Sequence, residues 1–141
     1  MGRQRKSREV LLQLLFQAEA AGAFDPHQML QELSKSHEHL KTQKEDVKKR
    51  ACDLFIQIMG KKEELDQWIG SVSQNWHVGR MGSIDRNVLR VAAYELKYCP
   101  DVPGEVILDE AIEIAKRYGS EESGKFVNGI LDKLFNEVRA S

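Results

Sequence analysis

The amino-terminus of the chain carries a dense cluster of cations. Four basic residues fall within six positions, with no acidic residue among them: Arg3, Arg5, Lys6 and Arg8. Such a cluster can neutralise nucleic-acid phosphates and gain affinity by releasing condensed counterions. Arginine-rich segments also commonly become ordered only when they bind RNA. An ordinary solvated terminus explains the same composition equally well. The cluster alone therefore does not distinguish an RNA-binding segment from a solvated terminus.

The other polar clusters do not form a recognisable catalytic or metal site. His37 and His39 are two residues apart in a polar stretch, but no cysteine or further histidine joins them, so a solvated loop is favoured over a metal site. Asp109, Glu110 and Glu113 share a helical segment with a full apolar face, and we interpret them as its hydrated side. The sequence has no phosphate-loop, dinucleotide-binding or nucleophile-elbow motif. We therefore expect no enzyme activity, no cofactor and no metal.

The composition favours a cytoplasmic protein. Of the 141 residues, 41% are hydrophobic and 30% are charged, and the formal net charge is -1. That balance excludes a uniformly basic nucleic-acid binder but allows a local basic patch. Cys52 and Cys99 form no CxxC pair and are expected to be free thiols in a reducing compartment. No apolar run approaches the roughly 20 residues of a membrane-spanning helix, so no membrane contact is expected.

Apolar residues recur at helical spacing along most of the chain, which predicts an all-α fold. Seven helical segments are expected, with starts near Ser7, Asp25, Lys44, Glu63, Ser83, Val106 and Ser120. Ser7 and Ser83 are predicted as N-caps, and Gly119 as a left-handed C-terminal cap. Residues 37–43 are expected to form a loop, and the basic run 48–50 a solvated helix face. Short connections favour a compact bundle of antiparallel neighbours, a single domain over residues 1–141 with two packed halves, 1–60 and 61–141.

The last helical segment begins with an informative block, residues 119–133 (GSEESGKFVNGILDK). Glu121 and Glu122 fall in its first turn, where the helix dipole favours negative charge. Asn128 and Gly129 within a helix lower its stability relative to alanine. We predict that Gly129 permits close helix packing and that Asn128 hydrogen-bonds into a neighbouring segment.

This block closely resembles the C-terminal signature of the NusB family of transcription antitermination factors. Residues 110–119 (EAIEIAKRYG) resemble the family's penultimate helix, and residues 85–96 (DRNVLRVAAYEL) resemble its central helix. The arginine-rich start and the helix after it match in type and position. The similarity is strong over residues 83–134 and weak over residues 22–62.

The resemblance implies a function, partners and site residues. NusB-like proteins pair with NusE, a small-subunit ribosomal protein, and together they bind boxA RNA in nascent ribosomal RNA, so that RNA polymerase reads through terminators. By position, six residues match RNA-binding positions: Arg3, Arg5, Lys6, Arg8, Glu122 and Lys125. Phe16 and Asp85 match positions that face NusE. Gly124 stands where longer side chains also occur, which predicts a looser RNA contact there.

Two alternatives remain open at this point. The same helical domain occurs fused to RNA cytosine methyltransferases, so the chain could be an RNA-targeting module of such an enzyme. That interpretation needs a catalytic domain with a Gly-rich cofactor loop, which these residues do not contain. A helical scaffold would leave the basic cluster unexplained. Members of the family include monomers and homodimers, so a homodimer is a further expectation that the sequence leaves undecided.

Overall fold

The structure, a computed structural model, is all-helical over the residues it describes, which are 2–22, 25, 27–28, 31, 44–74 and 77–139. Six α-helices are defined within these ranges, together with a short 3-10 helix at Val78–Arg80. They are α1 (Gly2–Ala21), α2 (Glu45–Gly60), α3 (Lys62–Val72), α4 (Ser83–Tyr98), α5 (Gly104–Tyr118) and α6 (Glu121–Arg139). The predicted all-α class is confirmed. The predicted second helix lies largely outside the described residues, and the predicted loop at 37–43 lies wholly outside them. Trp76 is also outside them.

The chain forms two compact units, Met1–Lys61 and Lys62–Ser141. In the first, α1 packs against α2. Leu11, Phe55 and Ile58 are fully buried there. The prediction that Ser7 caps the first helix was wrong, because α1 already begins at Gly2. The Ser7 hydroxyl lies within α1 and donates to the Val47 carbonyl of α2 at 3.4 Å.

The second unit is built around α4, the helix predicted to be central. All ten residues from Asn87 to Leu96 are buried, and α4 packs against α3, α5 and α6. The buried residues of α4 include polar and charged side chains as well as apolar ones. Arg90 forms a two-bond fork with Asp66 of α3, with distances of 2.7 Å from Nε to Oδ1 and 2.9 Å from Nη2 to Oδ2. Its Nη1 also donates to Asn87 Oδ1 at 2.9 Å, so a buried polar network fixes α3 on α4.

The ends of the helices differ from the sequence expectation where a tertiary contact intervenes. The fourth predicted helix, expected to run from Glu63 to about Trp76, corresponds to α3, which ends at Val72, where Lys133 Nζ donates to the Val72 carbonyl at 3.3 Å. Ser83 is the first residue of α4, and Gly82 occupies the N-cap. Gly119 follows α5 as predicted, but its φ of -115° is not left-handed. A Cβ there would lie 2.8 Å from the Ala115 carbonyl oxygen, so close approach of the backbone explains this glycine.

Candidate functional site

The basic cluster is the first turns of α1, and not an arm that precedes the helix. Lys6 is exposed, Arg5 is half-buried and Arg8 is only 3% exposed. Arg5 and Arg8 both have partners in the structure. Arg3 lies in the first turn, but its side chain is outside the described residues. The cluster therefore presents Lys6 most openly and holds Arg8 inside.

The charge at this end of α1 opposes the helix dipole. The first turn of α1 contains no acidic residue, although the partial positive charge of a helix N-terminus favours anions. Cations and the N–H groups to which a helix N-terminus gives no intrahelical acceptor therefore lie at the same end. A phosphate group supplies the opposite charge that this arrangement lacks.

The second basic run differs from the first because its charges are compensated on their own helix. Lys48 Nζ lies 3.4 Å from Glu45 Oε1, and Lys49 Nζ lies 3.0 Å from Asp53 Oδ2. These are ion pairs across one helical turn. They agree with the interpretation of a solvated helix face for Lys48 and Lys49, whereas Arg50 is half-buried and its Nε is buried.

Glu122 and Lys125 lie together at the exposed N-terminal edge of α6. Ser120 Oγ accepts a hydrogen bond from the Ser123 amide at 3.2 Å, which makes Ser120 the N-cap. Lys125 Nζ lies 3.9 Å from Glu122 Oε1, with 76% and 86% of the two side chains exposed. A pair so exposed contributes little to folding, so both groups are available to a partner.

Gly124 has a packing role at this edge. It is buried, and a Cβ added to it would lie 2.7 Å from Lys116 Cγ. The glycine thus lets the stem of Lys116, from α5, lie across α6, with its Nζ 3.9 Å from Glu121 Oε2. Because Gly124 has no side chain, the ammonium group of Lys116 can lie at this edge of α6. The sequence analysis did not predict this arrangement.

Asp85 and Glu122, predicted for different partners, share one shallow pocket. The pocket has a volume of about 310 Å³ and is lined by Met81, Gly82, Asp85, Glu122, Ser123 and Phe126. Asp85 lies in the first turn of α4. Its Oδ1 is buried without a hydrogen-bond partner among the described residues. A buried acceptor without a donor is costly, so this oxygen is suited to a donor from another molecule.

Phe16, the other residue matched to NusE, lies in the third quarter of α1 and is half-buried. Part of its surface is thus open to a partner. Phe16 belongs to the first unit and Asp85 to the second.

A groove on the other side of Lys125 was missed by sequence reasoning. It has a volume of about 340 Å³ and lies between the end of α3 and α6, lined by Val72, Ser73, Gln74, Lys125, Phe126, Gly129, Ile130 and Lys133. Lys125, Gly129 and Lys133 are spaced four residues apart, so they share one helix face. That spacing was the available signal in the sequence.

The predictions for Asn128 and Gly129 were wrong. Asn128 is exposed and its side chain makes no hydrogen bond to the described part of the chain. Gly129 is also exposed, and a Cβ added to it would meet nothing within 4 Å. Neither residue is therefore required for helix packing, and both face outward from α6.

The described residues contain no cluster of three or more His, Cys, Asp or Glu side chains that could hold a metal ion. His27 and His77 are exposed, while His37 and His39 lie outside the described part. Burial raises the pKa of the Cys52 thiol, which keeps it protonated and weakly nucleophilic. Among the helices described, none is long and apolar enough to span a bilayer.

Comparison with known proteins identifies relatives along nearly the whole chain. The NusB family model matches residues 5–136. The transcription antitermination protein NusB of Desulfitobacterium hafniense is 42% identical over 96% of this chain and 89% of its own length. The protein of the same name from Myxococcus xanthus is 42% identical over 95% of each chain.

Solved structures agree with this relationship. The structure of T. maritima NusB superposes with a TM-score of 0.82 at 41% identity, covering 94% of this chain and 90% of that one. A chain from a complex of the antitermination factors NusB and NusE with double-stranded RNA gives a TM-score of 0.83 at 23% identity, covering 97% and 98%. At 23% identity, the similarity to the NusB–NusE–RNA complex shows a shared fold and no more.

Proposed function

This chain belongs to the NusB family of transcription antitermination factors, and we propose that it binds boxA RNA of nascent ribosomal RNA together with NusE and promotes read-through by RNA polymerase. The family match over residues 5–136 carries this proposal. It includes both the α1 cations from Arg5 onward and the exposed edge of α6. A solved structure of the same fold contains the antitermination factors NusB and NusE in complex with double-stranded RNA, which supports the same assignment.

Two places are proposed to contact RNA, the start of α1 in the first unit and the N-terminal edge of α6 in the second. Lys6 and Lys125 are exposed cations at these places, where they can contact phosphates directly. Arg8 is buried, so we assign it to positioning the start of α1. Glu122 lies beside Lys125 and is proposed to orient that ammonium group. Arg3 and Arg5 complete the cation set on the same helical turns.

Asp85 in the second unit and Phe16 in the first are each proposed to contact NusE. The unpartnered Oδ1 of Asp85 favours a lysine or arginine of the partner, because a charged donor would satisfy it strongly. Phe16 offers partly exposed aromatic surface, a residue type enriched at protein interfaces.

We further propose that the chain is one domain that acts in the cytoplasm. Its proposed role is to bind RNA and NusE, and it catalyses no reaction. The similarity to NusB proteins over 89–95% of their lengths favours antitermination over the alternative of a methyltransferase targeting module. Homodimer formation stays a prediction.

The test compares RNA affinities by fluorescence anisotropy. The probes are a boxA RNA and a scrambled RNA of equal length, each measured with and without NusE over a range of salt concentrations. We expect NusE to tighten binding to boxA, and higher salt to weaken it. Equal affinities for the two RNAs in the presence of NusE would contradict sequence-specific recognition.

A further inference from the structure

We propose that the groove between the end of α3 and α6 holds an unpaired nucleotide of the bound RNA, with Lys133 and Gly129 as its determinants. This inference rests on the proposed RNA-binding function and extends the proposed surface beyond Lys125. Lys125 lines the groove at one end and Lys133 lies two helical turns further along α6. The nucleotide would therefore follow directly from the RNA at the N-terminal edge of α6.

The shape of the groove suits a base. Its volume of about 340 Å³ falls in the range of roughly 300–1,000 Å³ that small-molecule sites occupy. Val72, Phe126 and Ile130 supply apolar surface, and Gln74 supplies an exposed amide. An apolar surface accepts the face of any base, while an amide can hydrogen-bond to a base edge.

The charge of the groove suits a phosphate. Its lining contains two lysines and no carboxylate. Lys133 Nζ donates to the Val72 carbonyl oxygen at 3.3 Å, which fixes the ammonium group at the rim. An ammonium group has three donors, so two remain for phosphate oxygens.

Gly129 gives an independent indication of close approach by a ligand. It lies in the interior of α6, is exposed, and has open space where a Cβ would be. Alanine would fit there and would stabilise the helix, so the fold does not require glycine. A missing side chain midway between two lysines leaves the helix backbone open to a flat group.

The groove differs in charge from a neighbouring pocket on α3. That pocket is lined by Asp66, Gln67, Gly70, Ser73, Gln74, His77, Val78 and Gly79. Gly70 is also exposed and lies within a helix, with nothing within 4 Å of an added Cβ. However, this pocket contains a carboxylate and no lysine or arginine. Gly70 is thus a matched control for Gly129, without the cations that would attract RNA.

The experiment uses the full chain with NusE and the boxA RNA. The variants are Lys133→Gln and Gly129→Ala, and their controls are Lys62→Gln, at an exposed lysine outside the groove, and Gly70→Ala. Lys133→Gln should weaken RNA binding about two- to tenfold and lower the slope of log affinity against log salt by about 0.7. Gly129→Ala should weaken RNA binding while raising Tm. Gly70→Ala should raise Tm alone, and Lys62→Gln should change neither.

The outcomes separate this inference from the function on which it rests. Because Gly129→Ala stabilises the helix, its loss of RNA affinity would not be attributable to unfolding. If the wild-type chain prefers boxA RNA but both groove variants bind it equally well, the inference is wrong and the function stands. If the variants weaken NusE binding and not RNA binding, a protein segment occupies the groove and the inference is again wrong. If the wild-type chain does not prefer boxA RNA, both proposals fail.

Discussion

Arg90 of α4 and Asp66 of α3 form a two-bond ion pair whose arginine side chain is only 6% exposed. The same guanidinium group donates to Asn87, and Asn87 Nδ2 donates to the Ser83 carbonyl oxygen at 2.9 Å. The network therefore connects α3 to the first turns of α4, where Asp85 lies. The position of the proposed NusE contact depends on this buried pair.

Asp66→Ala should destabilise the protein by about 3 kcal/mol, because removal of one partner leaves a buried charge uncompensated. Urea unfolding followed by circular dichroism measures the change. The control is Asp53→Ala, which removes an exposed pair with Lys49 and should cost no more than about 0.5 kcal/mol. Similar losses for the two variants would show that the buried pair has no special role.

Arg139→Ala should also destabilise the fold, by about 2 kcal/mol, because hydrogen bonds to charged donors are strong. The Arg139 guanidinium donates to the carbonyl oxygens of Glu95, Leu96 and Cys99 at 2.9–3.1 Å, and also to Val102. It thereby satisfies the end of α4 and the loop after it. Thermal unfolding measures the loss.

Arg139→Lys should restore only part of that stability, since an ammonium group cannot reproduce the planar set of donors. Asn136→Ala, at an exposed position of the same helix, should change stability by less than about 0.5 kcal/mol. Full stability in Arg139→Lys would mean that a positive charge alone is enough to stabilise the carbonyl groups at this end of α4.

The double variant Arg5→Ala/Lys6→Ala should weaken boxA RNA binding and reduce the salt slope by about 1.4, the value for two single-strand phosphate contacts. Its Tm should stay nearly unchanged, because cations at a helix N-terminus oppose the dipole. The matched control is Lys48→Ala/Lys49→Ala, which removes equal charge from the compensated run and should leave RNA affinity unaltered. A large fall in the Tm of the first variant would instead identify these residues as structural.

Asp85→Asn should weaken NusE binding by at least about tenfold, because it removes one charge from a buried interfacial pair. The shape is kept, and Tm should not fall, since Asp85 Oδ1 has no hydrogen-bond partner among the described residues. Isothermal titration calorimetry with purified NusE measures the affinity. Asp132→Asn, at an exposed position of α6, is the control. Unchanged affinity in Asp85→Asn would remove Asp85 from the proposed NusE surface.

The helical class, most helix positions and the family could be predicted from the order of amino acids. Hydrophobic periodicity is a local property, so α2, α4 and α6 begin within one residue of their predicted starts. The family block 119–133 is equally local, and the family match includes it. The site residues could therefore be inferred from the family resemblance without the structure.

Which helical residues face outward could not be predicted in the same way, because it depends on how the helices pack. Arg8 belongs to a basic cluster but is buried, whereas Asn128 and Gly129 belong to the family block but are exposed. The groove at Gly129 exists because the end of α3 lies beside α6, joined by a hydrogen bond between residues 61 positions apart. Burial depends on such distant neighbours, and periodicity within one helix cannot specify them. The same physical reason explains why the sequence predicted Lys125 at the edge of α6 but missed Lys133.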